Sequence, residues 1–345
     1  LRKFSLVILL TLSAISVYAD GFTNGQAARA EIGQSTFTDG LDGTQSYLLG
    51  GVSGLAYSGG VLYVADDNRL GATPQNNRVL MFDTSQIPGP RADVSTAYHP
   101  SSRCWLCGYG AFQVLGQTTF TSSVTGRSDV PTNAAGSMNA PIAVATDGRV
   151  LAVADTDNNR VLLWNSIPQN PTTPPNIVLG QTNFTSFQSP QPINANSLRG
   201  PQGVWIQNGK VFVADTQNHR VLIWNSIPTR NNQPADVVLG QNGFDVAFAP
   251  SVSPGSNPVT TASRLLNPVA VTSDGTHVFV ADLGYNRVLI WNQIPTSNAQ
   301  PADVVIGQPD LTAAVPNFAS AMCPAFGDGT YPARCEATLN FPRFA

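Results

Sequence analysis

Four carboxylate and guanidinium pairs recur along this chain of 345 residues: Asp66 with Arg78, Asp155 with Arg160, Asp215 with Arg220, and Asp282 with Arg287. An acid beside a base could hold an anion or move a proton. Each pair, however, sits in the same local sequence: an apolar run ending in Ala-Asp, a short polar link, and a second apolar run opened by Arg-Val-Leu. An active site is needed once per molecule, whereas a feature present once per unit is needed once per unit. The pairs are therefore read as structural, the carboxylate ending one strand and accepting turn N–H groups, the guanidinium opening the next. The same reasoning makes Trp164, Trp224 and Trp291, with Phe82 in the matching place, packing aromatics.

Other chemistry is thinly supplied. Asp155-x-Asp157-x-Asn159 begins like a calcium loop, but Arg160 stands where Gly is needed and no Glu closes it. The histidines His99, His219 and His277 are scattered, and the last two lie in repeat turns, which is poor material for zinc or a catalytic triad. Cys104 and Cys107 have redox spacing without a βαβ context, and Gly108 occupies the place where haem attachment would want His. The expectation is no catalytic residue, no metal and no cofactor.

The elements that carry these residues form a repeat. One unit reads as strand A (PQGVWI, 201–206), strand B (KVFVAD, 210–215), strand C (RVLIW, 220–224) and strand D (ADVVLGQ, 235–241). Gly-Gln pairs at 33, 116, 180, 240 and 307 mark successive ends of strand D. Four short antiparallel strands repeated at this period make an all-β fold, a β-propeller of four-stranded antiparallel blades. Runs such as Val-Phe-Val-Ala are apolar on both faces, as a sheet packed between two neighbours requires. Gly54, Ala143, Gly203 and Ala270 share one place in strand A, where crowding at the axis favours small residues. The blades are expected at about 50–120, 139–184, 199–244 and 266–311. Residues 30–37 (AEIGQSTF) match a strand D, and residues 339–345 match the start of a further strand A.

The motif Ala-Asp-x-x-Asn-x-Arg-Val at 154–161, 214–221 and 281–288, with Asn218-His219-Arg220 inside the second copy, resembles the NHL repeat. The resemblance covers about residues 30–345 and implies a propeller related to the WD40 and Kelch architectures. It does not imply one activity, since such proteins include enzymes, RNA binders, carbohydrate binders and interaction platforms. It implies closure with six blades, so the four recognisable here are expected to be part of a six-bladed ring and the chain a fragment of a longer protein.

Residues 1–19 open with Arg2 and Lys3, continue with an apolar run, and end Val17-Tyr18-Ala19, the pattern of a secretory signal cleaved after Ala19. The expected location is secreted or periplasmic, with the propeller over 20–345 and no membrane span after cleavage. Cleavage leaves 16 basic against 21 acidic residues, with Lys210 the one lysine, and no basic run for nucleic acid. In an oxidising compartment four cysteines read as disulfides. Cys104 and Cys107 fall in a C-to-D link, Cys323 and Cys335 in a D-to-A link on the opposite face. This favours Cys323 with Cys335 and leaves Cys104 with Cys107 open.

Positions that break the repeat are freed from the fold's demands. The D-to-A links and the B-to-C turns share one face, and that face carries the long variable loops together with Tyr285. Trp205 stands where the other units have Ala56, Ala145 and Thr272. Trp205 and Tyr285 are the candidate ligand-binding residues. The expected function is an exported, non-catalytic scaffold that binds a protein or glycan through loops on one face. The alternatives are a lyase or hydrolase with its site at the channel mouth, or a structural module of a larger cell-surface protein.

Overall fold

The doubly apolar runs become the middle strands of four separate sheets. The structure, a computed structural model, describes residues 28, 30–67, 75–85, 107–124, 137–247 and 260–343. The proposed signal segment, Cys104 and His99 lie outside the described residues.

Blade 1 comprises β1 (Val52–Ser58), β2 (Val61–Asp66), β3 (Arg78–Asp83) and β4 (Gln113–Leu115). Blade 2 comprises β5 (Pro141–Thr146), β6 (Leu151–Asp155), β7 (Arg160–Trp164) and β8 (Ile177–Leu179). Blade 3 holds β9 (Gly203–Gln207), β10 (Lys210–Asp215), β11 (Arg220–Trp224) and β12 (Val237–Leu239). Blade 4 holds β13 (Pro268–Ser273), β14 (Val278–Asp282), β15 (Arg287–Trp291) and β16 (Val304–Ile306). Each sheet runs in sequence order and every pairing is antiparallel. The register sets each Asp opposite its Arg: Asp155 faces Arg160, Asp215 faces Arg220, and Asp282 faces Arg287.

Alternate side chains of one blade meet alternate side chains of the next. On blade 3, Val211, Val213, Leu222, Trp224 and Val238 face blade 2, whose Ala152, Val161, Leu163, Ile177 and Leu179 complete that layer. The other face of blade 3, with Phe212, Val221, Ile223, Val237 and Leu239, meets Val278, Val280, Leu289 and Trp291 of blade 4. Each large side chain so buried contributes roughly 1.5–3 kcal/mol. Trp224 and Trp291 lie in these layers and Trp164 in the one between blades 1 and 2, and each indole N–H reaches a carbonyl in its own C-to-D link: Trp164 to Thr173, Trp224 to Gln233 and Trp291 to Gln300, all at 3.0 Å. A Trp here is buried without an orphaned donor.

The inner strands β1, β5, β9 and β13 pack side by side in that order. A Cβ on Gly54 would lie 2.5 Å from the Ile142 carbonyl oxygen, and one on Gly203 would lie 3.0 Å from the Ala270 Cα. The small residues of strand A are required by this approach.

Residues 30–37 form no strand, which corrects that expectation, whereas residues 339–343 align with 198–202, which precede β9 and are likewise outside any strand. A strand D exists only through hydrogen bonds to its own strand C, and no described strand lies beside residues 30–37. What survives is the turn after it. Gln34 and Leu41 bond each other through the amide side chain at 2.7 and 3.0 Å, as Gln308 and Val315 do at 2.8 and 3.1 Å.

Candidate functional site

The Asp/Arg pairs are fully internal. Asp215 accepts from Arg199 N (2.7 Å), Asn218 Nδ2 (2.9 Å) and Arg220 Nε (2.7 Å). Arg220 turns its outer nitrogens to the carbonyls of Phe244 (2.6 Å) and Ser197 (2.8 Å), on either side of its own blade. Asp66 with Arg78, Asp155 with Arg160, and Asp282 with Arg287 repeat this arrangement. One ion pair thus ties the B-to-C turn to both D-to-A links, which explains why every blade carries it. Burial pushes the carboxyls of Asp155 and Asp215 upward and that of Asp282 up to about 6, against the opposing pull of each arginine. Burial lowers the Arg78 guanidinium. Both partners are buried, and the pairs hold the loops together.

A second tie escaped the sequence reading. The residue before each of these arginines is left-handed: Asn77, Asn159, His219 and Asn286, with φ of 49°, 54°, 55° and 55°. Its side chain accepts a backbone N–H further along the chain, from Ala140 (2.9 Å), Gly200 (2.8 Å), Asn267 (3.2 Å) and Phe341 (3.1 Å) respectively. The signal was present, since Asn and His are types that tolerate this conformation. His219 accepts through Nδ1, so this ring nitrogen carries no proton, and burial lowers the pKa of the imidazole. His277 lies in the A-to-B turn at the other end of the strands, 2.7 Å from Asp274, whose carboxyl it holds down at about 2. The two described histidines do not converge.

Tyr285 sits in a turn on the loop face but its side chain points inward. It is 2% exposed and packs with Leu266 and Ala314. Its ring centroid lies 5.1 Å from the Arg287 guanidinium carbon. It occupies the place of Asn158 and Asn218, a position in the turn whose side chain points into the ion pair, so the sequence was right about the turn and wrong about the direction. Burial raises its phenol.

Trp205 does reach a concavity. The inner strands enclose a cleft of about 1200 Å³ whose walls include Leu55, Ile142, Val204, Trp205 and Val271. Trp205 lies opposite Phe212 in the register, and its indole donates to the Ser273 carbonyl at 2.9 Å, which fixes the ring. Polar groups are few: Asp67, which lies 2.7 Å from the hydroxyl of Ser53, with Ser53 itself, Gln202, Thr272 and Arg343. A mostly apolar cleft with a few placed polar groups is the usual form of a ligand site. Among the described residues no group of three or more His, Cys, Asp or Glu is arranged to hold a metal, and no helix is long and apolar enough to cross a membrane.

The fourth D-to-A link carries the short helix α1 (Ala319–Met322) and the Cys323–Cys335 disulfide, with Cα atoms 5.9 Å apart. The favoured pairing is therefore formed. Cys107 is also disulfide-bonded.

The family model for the NHL repeat matches residues 198–224, the stretch from the lead-in of β9 to the end of β11. The chain is a β-propeller that carries an NHL repeat. No curated protein matches this NHL propeller. Among solved structures it is similar to U3-55K, with 11% identity, a TM-score of 0.39 and coverage of 74% of this chain and 51% of that one. It is also similar to the computationally designed Ika4 protein (8%, 0.35, 71% and 92%) and to Myxococcus xanthus glutaminyl cyclase (10%, 0.33, 74% and 70%). The NHL propeller spans about half the length of the U3-55K chain.

Proposed function

We propose that this NHL propeller is an exported, non-catalytic scaffold that binds a protein or glycan ligand at the axial cleft and the loop face around it. The observation that carries this reading is Trp205: one of four equivalent inner-strand places bears a large aromatic, and that aromatic lines the cleft with its indole N–H already bound. A fixed aromatic platform contributes contact area at little cost in side-chain entropy. The described ends of the loops on the surrounding face are held by buried ion pairs. Export is supported by the sequence of residues 1–19 and by the Cys323–Cys335 disulfide, which suits an oxidising compartment.

The test follows tryptophan emission of the purified protein on titration with cellohexaose, with chitohexaose and with a set of apolar decapeptides. A ligand of one class should saturate, and Trp205→Ala should weaken its Kd by about tenfold, the ~1.4 kcal/mol of one good contact, measured at a temperature where the variant is still folded, since the ring also packs against the core between blades 3 and 4. Equal affinity in Trp205→Ala would remove the cleft from the reading. Conversion of the bound ligand to product would show an enzyme.

A further inference from the structure

Each blade grips a backbone N–H beyond its own last strand through one side chain, that of the left-handed residue before its arginine. In three blades the grip is an asparagine amide. Asn77 Oδ1 accepts from Ala140 N (2.9 Å), Asn159 Oδ1 from Gly200 N (2.8 Å) and Asn286 Oδ1 from Phe341 N (3.1 Å). An amide oxygen is an acceptor at any ordinary pH. In blade 3 the grip is an imidazole: His219 Nδ1 accepts from Asn267 N at 3.2 Å. One of four equivalent bonds is therefore open to a proton.

The proton goes to the nitrogen that holds the bond. A neutral imidazole has one donor and one acceptor nitrogen, whereas imidazolium has two donors and no acceptor. Once protonated, Nδ1 meets the Asn267 N–H hydrogen to hydrogen, and the bond is lost. The surroundings favour the neutral ring. Burial and then the Arg199 guanidinium lower its pKa below the ordinary 6.5, outweighing the Asn267 side chain, which raises it. The other charged groups at this junction are engaged elsewhere. Asp215 and Arg220, in the same turn as His219, form their buried pair. From blade 4, Asp282 holds Leu266 N at 2.8 Å, one residue before Asn267, and pairs with Arg287. Arg264, in the same lead-in, acts on Tyr285. Among the described residues no carboxylate pairs with His219.

The bond secures the start of an inner strand. Asn267 is left-handed (φ 51°) and leads directly into β13. Thr216 secures the next residue by donating its hydroxyl to the Pro268 carbonyl at 2.7 Å. Blade 2 makes the same two ties, Thr156 to the Pro201 carbonyl and Asn159 to Gly200 N. β13 in turn supplies Val271 and Thr272 to the cleft wall and the Ser273 carbonyl that receives the Trp205 indole.

We propose that His219 is a proton-operated clasp: in mild acid it releases Asn267 and loosens the junction of blades 3 and 4, while the asparagine-held junctions stay closed. With the turn open the ring takes a proton near its ordinary 6.5, and with the turn closed only at lower pH. The clasp is therefore fully effective above 6.5 and weakens as pH falls toward the folded value.

Native-state hydrogen exchange of the whole chain, corrected for the intrinsic rate at each pH, reads the clasp at Asn267 N and its asparagine counterpart at Gly200 N. From pH 7.5 to pH 5, protection of Asn267 should fall by about tenfold for each unit below 6.5 until the closed ring itself titrates, while Gly200 holds level. His219→Asn should fold, because Asn77, Asn159 and Asn286 fill the same left-handed place. It leaves Asp282 untouched, and Asn267 should then hold level as Gly200 does. Imidazole nitrogen shifts of the wild type should show Nδ1 unprotonated at pH 7.5, with a midpoint below 6.5. Level protection at Asn267 in the wild type would overturn the proposal. So would an equal fall in His219→Asn, which would assign the response to Asp282, or an imidazole midpoint at or above 6.5.

Discussion

Blades 3 and 4 share most of their strand sequence and differ in what surrounds it. In blade 3 both faces are sealed, and Asp215 accepts from two amide groups, Arg199 N and Asn218 Nδ2, besides Arg220. In blade 4 one face is open, and Asp282 accepts from Leu266 N and Arg287, because Tyr285 replaces the asparagine. The same ion pair therefore sits in two settings, one better supplied with donors. The difference teaches that the repeat specifies the pair, while its neighbours set how firmly the carboxylate stays ionised.

The sharpest break comes from removing the guanidinium. Arg220→Met leaves Asp215 buried against an apolar chain and unhooks the Phe244 and Ser197 carbonyls, so a loss of about 3–5 kcal/mol is expected. Arg287→Met should cost less at pH 5 than at pH 8, since Asp282, already pushed up to about 6, takes a proton readily. Urea midpoints of the two variants measure the gap. Equal losses at pH 5 and pH 8 would mean the two pairs are alike.

Packing gives the next largest contrast. Leu239→Ala empties a site 0% exposed and should cost about 2–5 kcal/mol. The equivalent Ile306→Ala, at a site 50% exposed, should cost under ~1 kcal/mol. Thermal melts of both variants decide it. A large loss at Ile306 would mean that something covers blade 4 in solution.

These contrasts bear on what was legible in the sequence. Strands B and C could be read because each is apolar on both faces and bounded by the same Asp and Arg four times over. The structural reading of those pairs followed from repetition alone. Residues 30–37 misled because a strand D is defined by its partner, and AEIGQSTF looks the same with or without one. Tyr285 misled because a turn on a loop face can still aim a side chain inward, and only the register with Asn218 reveals that. The cleft was invisible because four strands, far apart in sequence, each supply a few small residues to its wall. Trp205 stood out in the sequence for a simpler reason: it is the one large residue at a place where its counterparts are small.

The smallest effect is also the most specific to the comparison. Asp282 has a folded pKa of about 6 against an unfolded value of 3.8, raised chiefly by burial and opposed by Arg287. Between those values the unfolded chain has released a proton that the folded chain still holds, so stability falls as pH rises from about 4 to about 6 and is level on either side. Asp155 and Asp215 shift in the same direction, while the exposed Asp274, at about 2, acts below pH 4 and with the opposite sign. The wild-type curve is therefore a sum, and Tyr285→Asn isolates one part of it. The new side-chain amide can donate to Asp282 as Asn218 does to Asp215, which favours the ionised form and draws the pKa down. Loss of the buried ring's packing and of its contact with Arg287 lowers stability at every pH and leaves the slope alone. The slope between pH 4 and pH 6 should nevertheless flatten relative to wild type. Urea midpoints of the two proteins at half-unit intervals would show it. Parallel curves would mean that the missing asparagine has no bearing on Asp282, and that burial alone separates blade 4 from blade 3.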